Sequence, residues 1–198
     1  MRTMLLCAAL IAAPAFAAPR VGAPAPAFTA TSASGETVSL SDYRGKTVVL
    51  EWTNKGCPYV QKHYKSGNMQ ALQKDAAANG IVWLTVNSSS AGKQGYVDGA
   101  AAKAEMAEND TTQAAYLLDH DGKIGRAYGA SATPHLYVID GKGVLRYMGA
   151  IDDKPTAKLE DVKGATNYVS GALNAVAAGK APSPAATRAY GCSVKYGG

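Results

Sequence analysis

Two near-continuous apolar runs stand out in the hydropathy pattern. Residues 47–52 read Thr-Val-Val-Leu-Glu-Trp and residues 81–86 read Ile-Val-Trp-Leu-Thr-Val. Runs of this kind predict strands covered on both faces, as in a parallel sheet with helices packed outside it. Between them, residues 57–78 predict one long helix, with Pro58 at its first position and Asn79-Gly80 as its stop. Residues 87–95 form a Ser/Gly-rich loop, 96–108 predict a helix, 116–118 a strand, and 123–128 a short helix after an Asp121-Gly122 turn. Two apolar segments, 135–139 and 144–148, flank Asp140-Gly141-Lys142-Gly143, a hairpin signal. Residues 167–178 predict a last amphipathic helix stopped by Gly179. Ahead of all these lie an Ala/Pro-rich lead-in at 19–26, a short edge segment at 37–40 and a turn at 41–46. There is no internal repeat. The order βαβ, helix, strand, hairpin, helix predicts one α/β sandwich with a mixed central sheet.

The two ends of the chain change this picture. Arg2, an apolar run over 4–13 and the small-x-small pattern Ala15-Phe16-Ala17 read as a secretory leader, cut after Ala17. That run is too short to span a bilayer, and no later segment reads as a membrane span. The expected organisation is therefore a leader at 1–17, one domain at 18–180 and a polar tail at 181–198, exported to a periplasm. Removing the leader takes away Cys7 and leaves Cys57 and Cys192, an even count that favours a disulfide in an oxidising compartment. The formal charge of +5 falls to +4 with the loss of Arg2. The basic residues are scattered and form no stripe interleaved with aromatics, which argues against a nucleic-acid partner. No phosphate loop, haem motif, triad spacing or zinc pattern appears, so no cofactor or metal is expected.

Cys57 carries the chemistry. It follows the apolar strand 47–52 and precedes Pro58 at a helix start, where free backbone N–H groups and the helix dipole favour thiolate over thiol. Taken with Thr133-Pro134 just ahead of strand 135–139, this unit resembles the thioredoxin-like superfamily. The resemblance implies a three-layer sandwich in which a cis Pro134, preceded by Thr133, sits opposite Cys57 and offers its backbone to an extended substrate peptide. The segments Glu51-Trp52-Thr53-Asn54, Lys62-His63-Tyr64, Thr133-Pro134-His135 and Tyr190-Gly191-Cys192-Ser193-Val194-Lys195 narrow it. Together they resemble the redoxin-domain, peroxiredoxin-like proteins of the alkyl hydroperoxide reductase and thiol-specific antioxidant family, over nearly the whole mature chain.

Two departures bear on the activity. The position three residues after Cys57, where a second redox cysteine is common, is Val60. Thr53 lies four residues before Cys57, and the proline of the peroxiredoxin motif is absent. A lone nucleophilic cysteine needs another thiol to resolve its mixed disulfide or sulfenic acid, and Cys192 is the candidate in the mature chain. The stretch from Gly179 to Cys192 can extend roughly 40 Å, about the diameter of such a domain. A Cys57–Cys192 bond would close a loop worth about 5 kcal/mol in the chain-entropy model, which suits a structural staple equally well. Three readings stay open: a thiol-disulfide oxidoreductase cycling Cys57 with Cys192, a hydroperoxide reductase, and a binding module with a permanent staple. The expected partners are protein or small-molecule thiols and disulfides, with hydroperoxides as the alternative. Around Cys57, His63 reads as a solvated helix residue, Lys55 as an exposed loop lysine, and Asp152-Asp153 as a solvated turn. His135 can face the sulfur or the opposite side of the sheet. Glu51 resembles the buried acid that assists proton removal in thioredoxins.

Overall fold

The computed structural model describes residues 18–198; the leader expected at 1–17 lies outside the described residues. Nine strands and five α-helices follow in the order β1 (Thr29–Ser32), β2 (Thr37–Ser39), β3 (Val48–Trp52), α1 (Pro58–Lys65), α2 (Asn68–Ala78), β4 (Val82–Asn87), α3 (Gly99–Glu108), β5 (Ala115–Leu118), α4 (Lys123–Tyr128), β6 (Ala132–Thr133), β7 (His135–Ile139), β8 (Leu145–Gly149), α5 (Tyr168–Ala177) and β9 (Cys192–Ser193). Seven strands form one sheet in the order β2-β1-β5-β4-β3-β7-β8. β3 runs parallel to β4, and β4 to β5, while β7 and β8 are antiparallel additions on the other side of β3. The mixed α/β sheet expected from the apolar runs is the one found.

Every residue of β3 and β4 is buried. Alternation along β3 sends Val49 into one core layer, with Val60, Tyr64, Met69 and Leu72 of α1 and α2 and Leu173 of α5. Val48, Leu50 and Trp52 enter the other layer, with Ile124 and Tyr128 of α4. This two-sided cover explains why the central strands lack a polar face.

The long helix expected over 57–78 is instead two helices. Gly67 adopts φ 75°, a left-handed conformation that an α-helix cannot contain, and the chain restarts at Asn68. The helix expected from residue 96 starts at Gly99, where the Asp98 side chain caps the backbone N–H of Ala101 at 2.8 Å. The tail read as merely polar contributes β9, which pairs with β6.

Candidate active site

The turn after β3 sets the position of Cys57. The Asn54 side-chain oxygen accepts from the Gly56 N–H at 2.9 Å, and the Asn54 carbonyl accepts from the Cys57 N–H at 2.9 Å. Gln94 exchanges two side-chain hydrogen bonds with Asn54, at 2.9 and 3.1 Å, which locks the turn from the facing loop. A Cβ on Gly56 would lie 2.0 Å from that Gln94 amide, so a side chain there would displace Gln94 from Asn54. Cys57 is then the N-cap residue of α1, with Pro58 in the first turn.

The Thr133–Pro134 peptide is cis. The Thr133 carbonyl lies 3.2 Å from the Cys57 sulfur, within reach of the thiol proton. β9 runs antiparallel to β6 with Cys192 opposite Thr133, and its sulfur stands 2.6 Å from that of Cys57. Cys57, Cys192, Thr133 and Pro134, chosen from sequence, therefore lie together. Cys57 is fully buried and Cys192 half-buried.

The two sulfurs are electrostatically unequal. Burial pushes the Cys57 thiol up, but hydrogen bonds from Cys192, from the Val60 and Cys192 backbone and from Thr133 outweigh it, and the net direction is down. Cys192 is pushed up to about 11 by burial and by the neighbouring Cys57 sulfur. Cys57 is thus the more acidic of the two thiols and Cys192 the less acidic.

Two sequence expectations around the site are corrected. His63 is fully buried rather than solvated. Its Nδ1 meets the Asn68 amide at 2.9 Å and its Nε2 meets the Tyr190 hydroxyl at 3.3 Å. Burial, reinforced by the Lys62 charge and partly opposed by Asp152, lowers its pKa to about 4. Asp152 is buried rather than part of a solvated turn, because its carboxylate pairs with the buried Lys62 ammonium at 3.3 Å and accepts from Tyr190. Lys62 also donates to the Lys154 carbonyl at 2.7 Å. Lys62 and Tyr190 belong to the segments that carry the family resemblance, but the sequence assigns them no role; a Tyr two residues before a candidate resolving cysteine was the available signal. Lys55 is exposed as expected and pairs with Glu108 at 2.5 Å.

His135 faces away from the sulfur. Its ring packs on Tyr137 with centroids 4.5 Å apart and contacts that hydroxyl at 3.2 Å, on the Trp52 side of the sheet. Glu51 is a fully buried acid whose oxygens accept from Tyr64 at 2.7 Å and Trp83 at 2.8 Å. Burial raises its pKa, and the hydrogen bonds from Tyr64, Trp83, Gln73 and Thr85 offset this only in part.

Among the described residues, no cluster of three His, Cys, Asp or Glu is arranged to hold a metal ion, and no helix is long and apolar enough to cross a membrane. An open groove of about 990 Å3, bordered by Asp152, Arg188, Tyr190 and Gly191, runs beside the docked tail.

Comparison with known proteins extends this geometry. The chain is 29% identical over 163 residues to a thioredoxin peroxidase of Echinococcus granulosus, covering 71% of this chain and 76% of that protein. It is 32% identical over 127 residues to the thioredoxin-like protein YneN of Bacillus subtilis (strain 168), covering 63% of this chain and 68% of that one. Its fold superposes with a TM-score of 0.75 on the crystal structure of a hypothetical protein from Sinorhizobium meliloti 1021, at 22% identity, covering 91% of this chain and 97% of the other. The AhpC/TSA family model matches residues 21–148, which include Cys57, Thr133 and Pro134 and stop short of the tail. By that match over more than half its length, the chain belongs to the AhpC/TSA family.

Proposed function

We propose that this protein is an exported thiol-disulfide oxidoreductase that cycles Cys57, with Cys192 as its resolving thiol. The observation that carries the reading is the 2.6 Å approach of two sulfurs with opposite pKa shifts, one at a helix start and one on a strand paired beside it. The Cys57 thiolate attacks one sulfur of a substrate disulfide and expels the other as a thiolate. Cys192 then attacks the Cys57 sulfur of the mixed disulfide, and its proton leaves with the second substrate thiol. The substrate disulfide is reduced to two thiols, and the protein dithiol is oxidised to a Cys57–Cys192 disulfide. An external thiol opens the Cys57–Cys192 bond to a mixed disulfide on Cys57, and a second thiol displaces Cys57 from it, so the protein returns to the dithiol and the two thiols leave as a disulfide. Thr133 and Pro134 border the sulfur and hold the tail strand. Export rests on the leader pattern at 1–17, and the tail from residue 181 is read as part of the working site rather than an appendage.

Full burial of Cys57 favours a second reading, in which only a small oxidant reaches it. A hydroperoxide would transfer one oxygen to the Cys57 thiolate, giving sulfenic acid and an alcohol. Cys192 would then condense with it, releasing water. The thioredoxin peroxidase relative supports this alternative.

The test uses the mature protein with a model disulfide and, separately, with hydrogen peroxide, comparing Cys57→Ser and Cys192→Ser. Under the first reading Cys57→Ser abolishes disulfide exchange and Cys192→Ser stalls it at a mixed disulfide. Rapid peroxide consumption lost in Cys57→Ser, without disulfide exchange, would transfer the assignment to the second. Inertness to both reagents would leave a structural staple.

A further inference from the structure

We propose that Tyr190 is the positioning residue that holds Cys192 against Cys57, and that by doing so it keeps the Cys57 sulfur shut away until the tail lifts. This rests on the oxidoreductase reading for its consequence but on the geometry of the tail for its substance.

Tyr190 and Cys192 flank the bend at Gly191, and both pack against the core layer that holds Val60 and Tyr64 of α1. The Tyr190 hydroxyl donates to Asp152 and lies 3.3 Å from His63 Nε2 and 3.5 Å from Lys62 Nζ. Its ring meets Tyr59 edge-on at 5.9 Å and lies under the Lys62 ammonium at 5.6 Å. Tyr59, Lys62 and His63 belong to α1, the helix that Cys57 caps. One rigid helix therefore presents the nucleophile at its start and grips the tail two residues before the partner sulfur.

The tail fills the edge of β6 beside the cis Thr133–Pro134 peptide. Cys192 takes the register position opposite Thr133, and the Val194 N–H donates to the Ser131 carbonyl at 3.3 Å. The Tyr196 hydroxyl donates to the Ala130 carbonyl at 2.7 Å and anchors the far end. With that edge taken and Cys57 fully buried, a bulky reagent meets the sulfur only after residues 190–193 withdraw. Of the two anchors, Tyr190 is the one built on buried charge, where hydrogen bonds are strongest.

Two measurements on Tyr190→Phe move in opposite directions if this is right. In the Cys192→Ser background, alkylation of Cys57 by a bulky maleimide reports tail opening and needs no redox turnover. Loss of one hydrogen bond to a buried charged group should raise that rate about tenfold. In the protein with both cysteines, Cys57 is first loaded with thionitrobenzoate. That adduct contends with Cys192 for the space beside the sulfur, so closure follows the strength of the anchor, and thionitrobenzoate release should slow about tenfold. Tyr59→Leu, which loosens the same ring without touching the buried charges, should shift both rates the same way by less. Should Tyr190→Phe lower thermal stability while both rates stay at wild-type values, Tyr190 is only a packing residue and the proposal fails. If the maleimide rate rises but wild-type protein exchanges no disulfide, the gate stands and the oxidoreductase reading falls.

Discussion

Gly191→Ala tests the docked tail with a single methyl group. Gly191 has φ 129°, a region in which L-residues are strained. An added Cβ would lie 2.0 Å from the Thr133 carbonyl oxygen and 2.9 Å from its carbon, both backbone atoms that cannot swing aside. Ordinary carbon–oxygen contact needs about 3.3 Å, so the tail must move by more than an ångström or detach. Backbone strain alone costs about 2 kcal/mol, before the overlap is counted. At about 1.4 kcal/mol per factor of ten, that raises the undocked population of the reduced protein by about 30-fold. Amide hydrogen exchange reads this directly. Protection at residues 192–194 should fall by that factor or more, while the amides of β3 and β4 keep wild-type protection because the central sheet does not touch the methyl group. Equal protection at 192–194 in the two proteins would show that the tail does not dock through the close Gly191–Thr133 approach, and the account of the site would have to be redrawn.

Two buried groups give pH dependences of opposite sign. The His135 pKa is lowered by burial to about 4, so below its unfolded value the unfolded chain takes up a proton that the folded chain refuses. Wild type should therefore lose stability relative to His135→Gln as pH falls from 6.5 towards 4, by up to about 1.4 kcal/mol per pH unit in urea titrations; a constant difference across that window rules it out. Burial raises the Glu51 pKa, so there the folded state retains a proton that the unfolded chain loses above the ordinary value of 4.5. Wild type should lose ground to Glu51→Gln as pH rises above 4.5, and a gap that instead narrows with pH would mean that the four donors around Glu51 hold it as carboxylate.

Much of the site was legible in the sequence because it is written in local rules. A cysteine between an apolar strand and a proline-started helix specifies its own helix-end environment, and the 47–52 and 81–86 runs announce a doubly covered sheet whatever lies outside them. The break at Gly67 was hidden because glycine is tolerated in a helical pattern, and only the packing of α1 against α2 decides whether the chain turns there. His63 and Asp152 were misread for a different reason. A charged or titratable residue looks solvated until the fold brings it a partner, and Asp152 finds Lys62 some 90 residues away and Tyr190 some 38.

The sequence by itself determined that one sulfur would stand at a helix start and that a second lay in a tail long enough to reach it, while the family resemblance implied that Thr133-Pro134 would face the first. Tertiary structure alone decided that the tail becomes a strand, that Tyr190 enters the Lys62–Asp152 pair, and that the two sulfurs meet. The physical reason is the range of the forces involved. Helix ends and strand periodicity act over a few residues, whereas a buried ion pair and an edge strand stabilise nothing until distant segments have already been brought together.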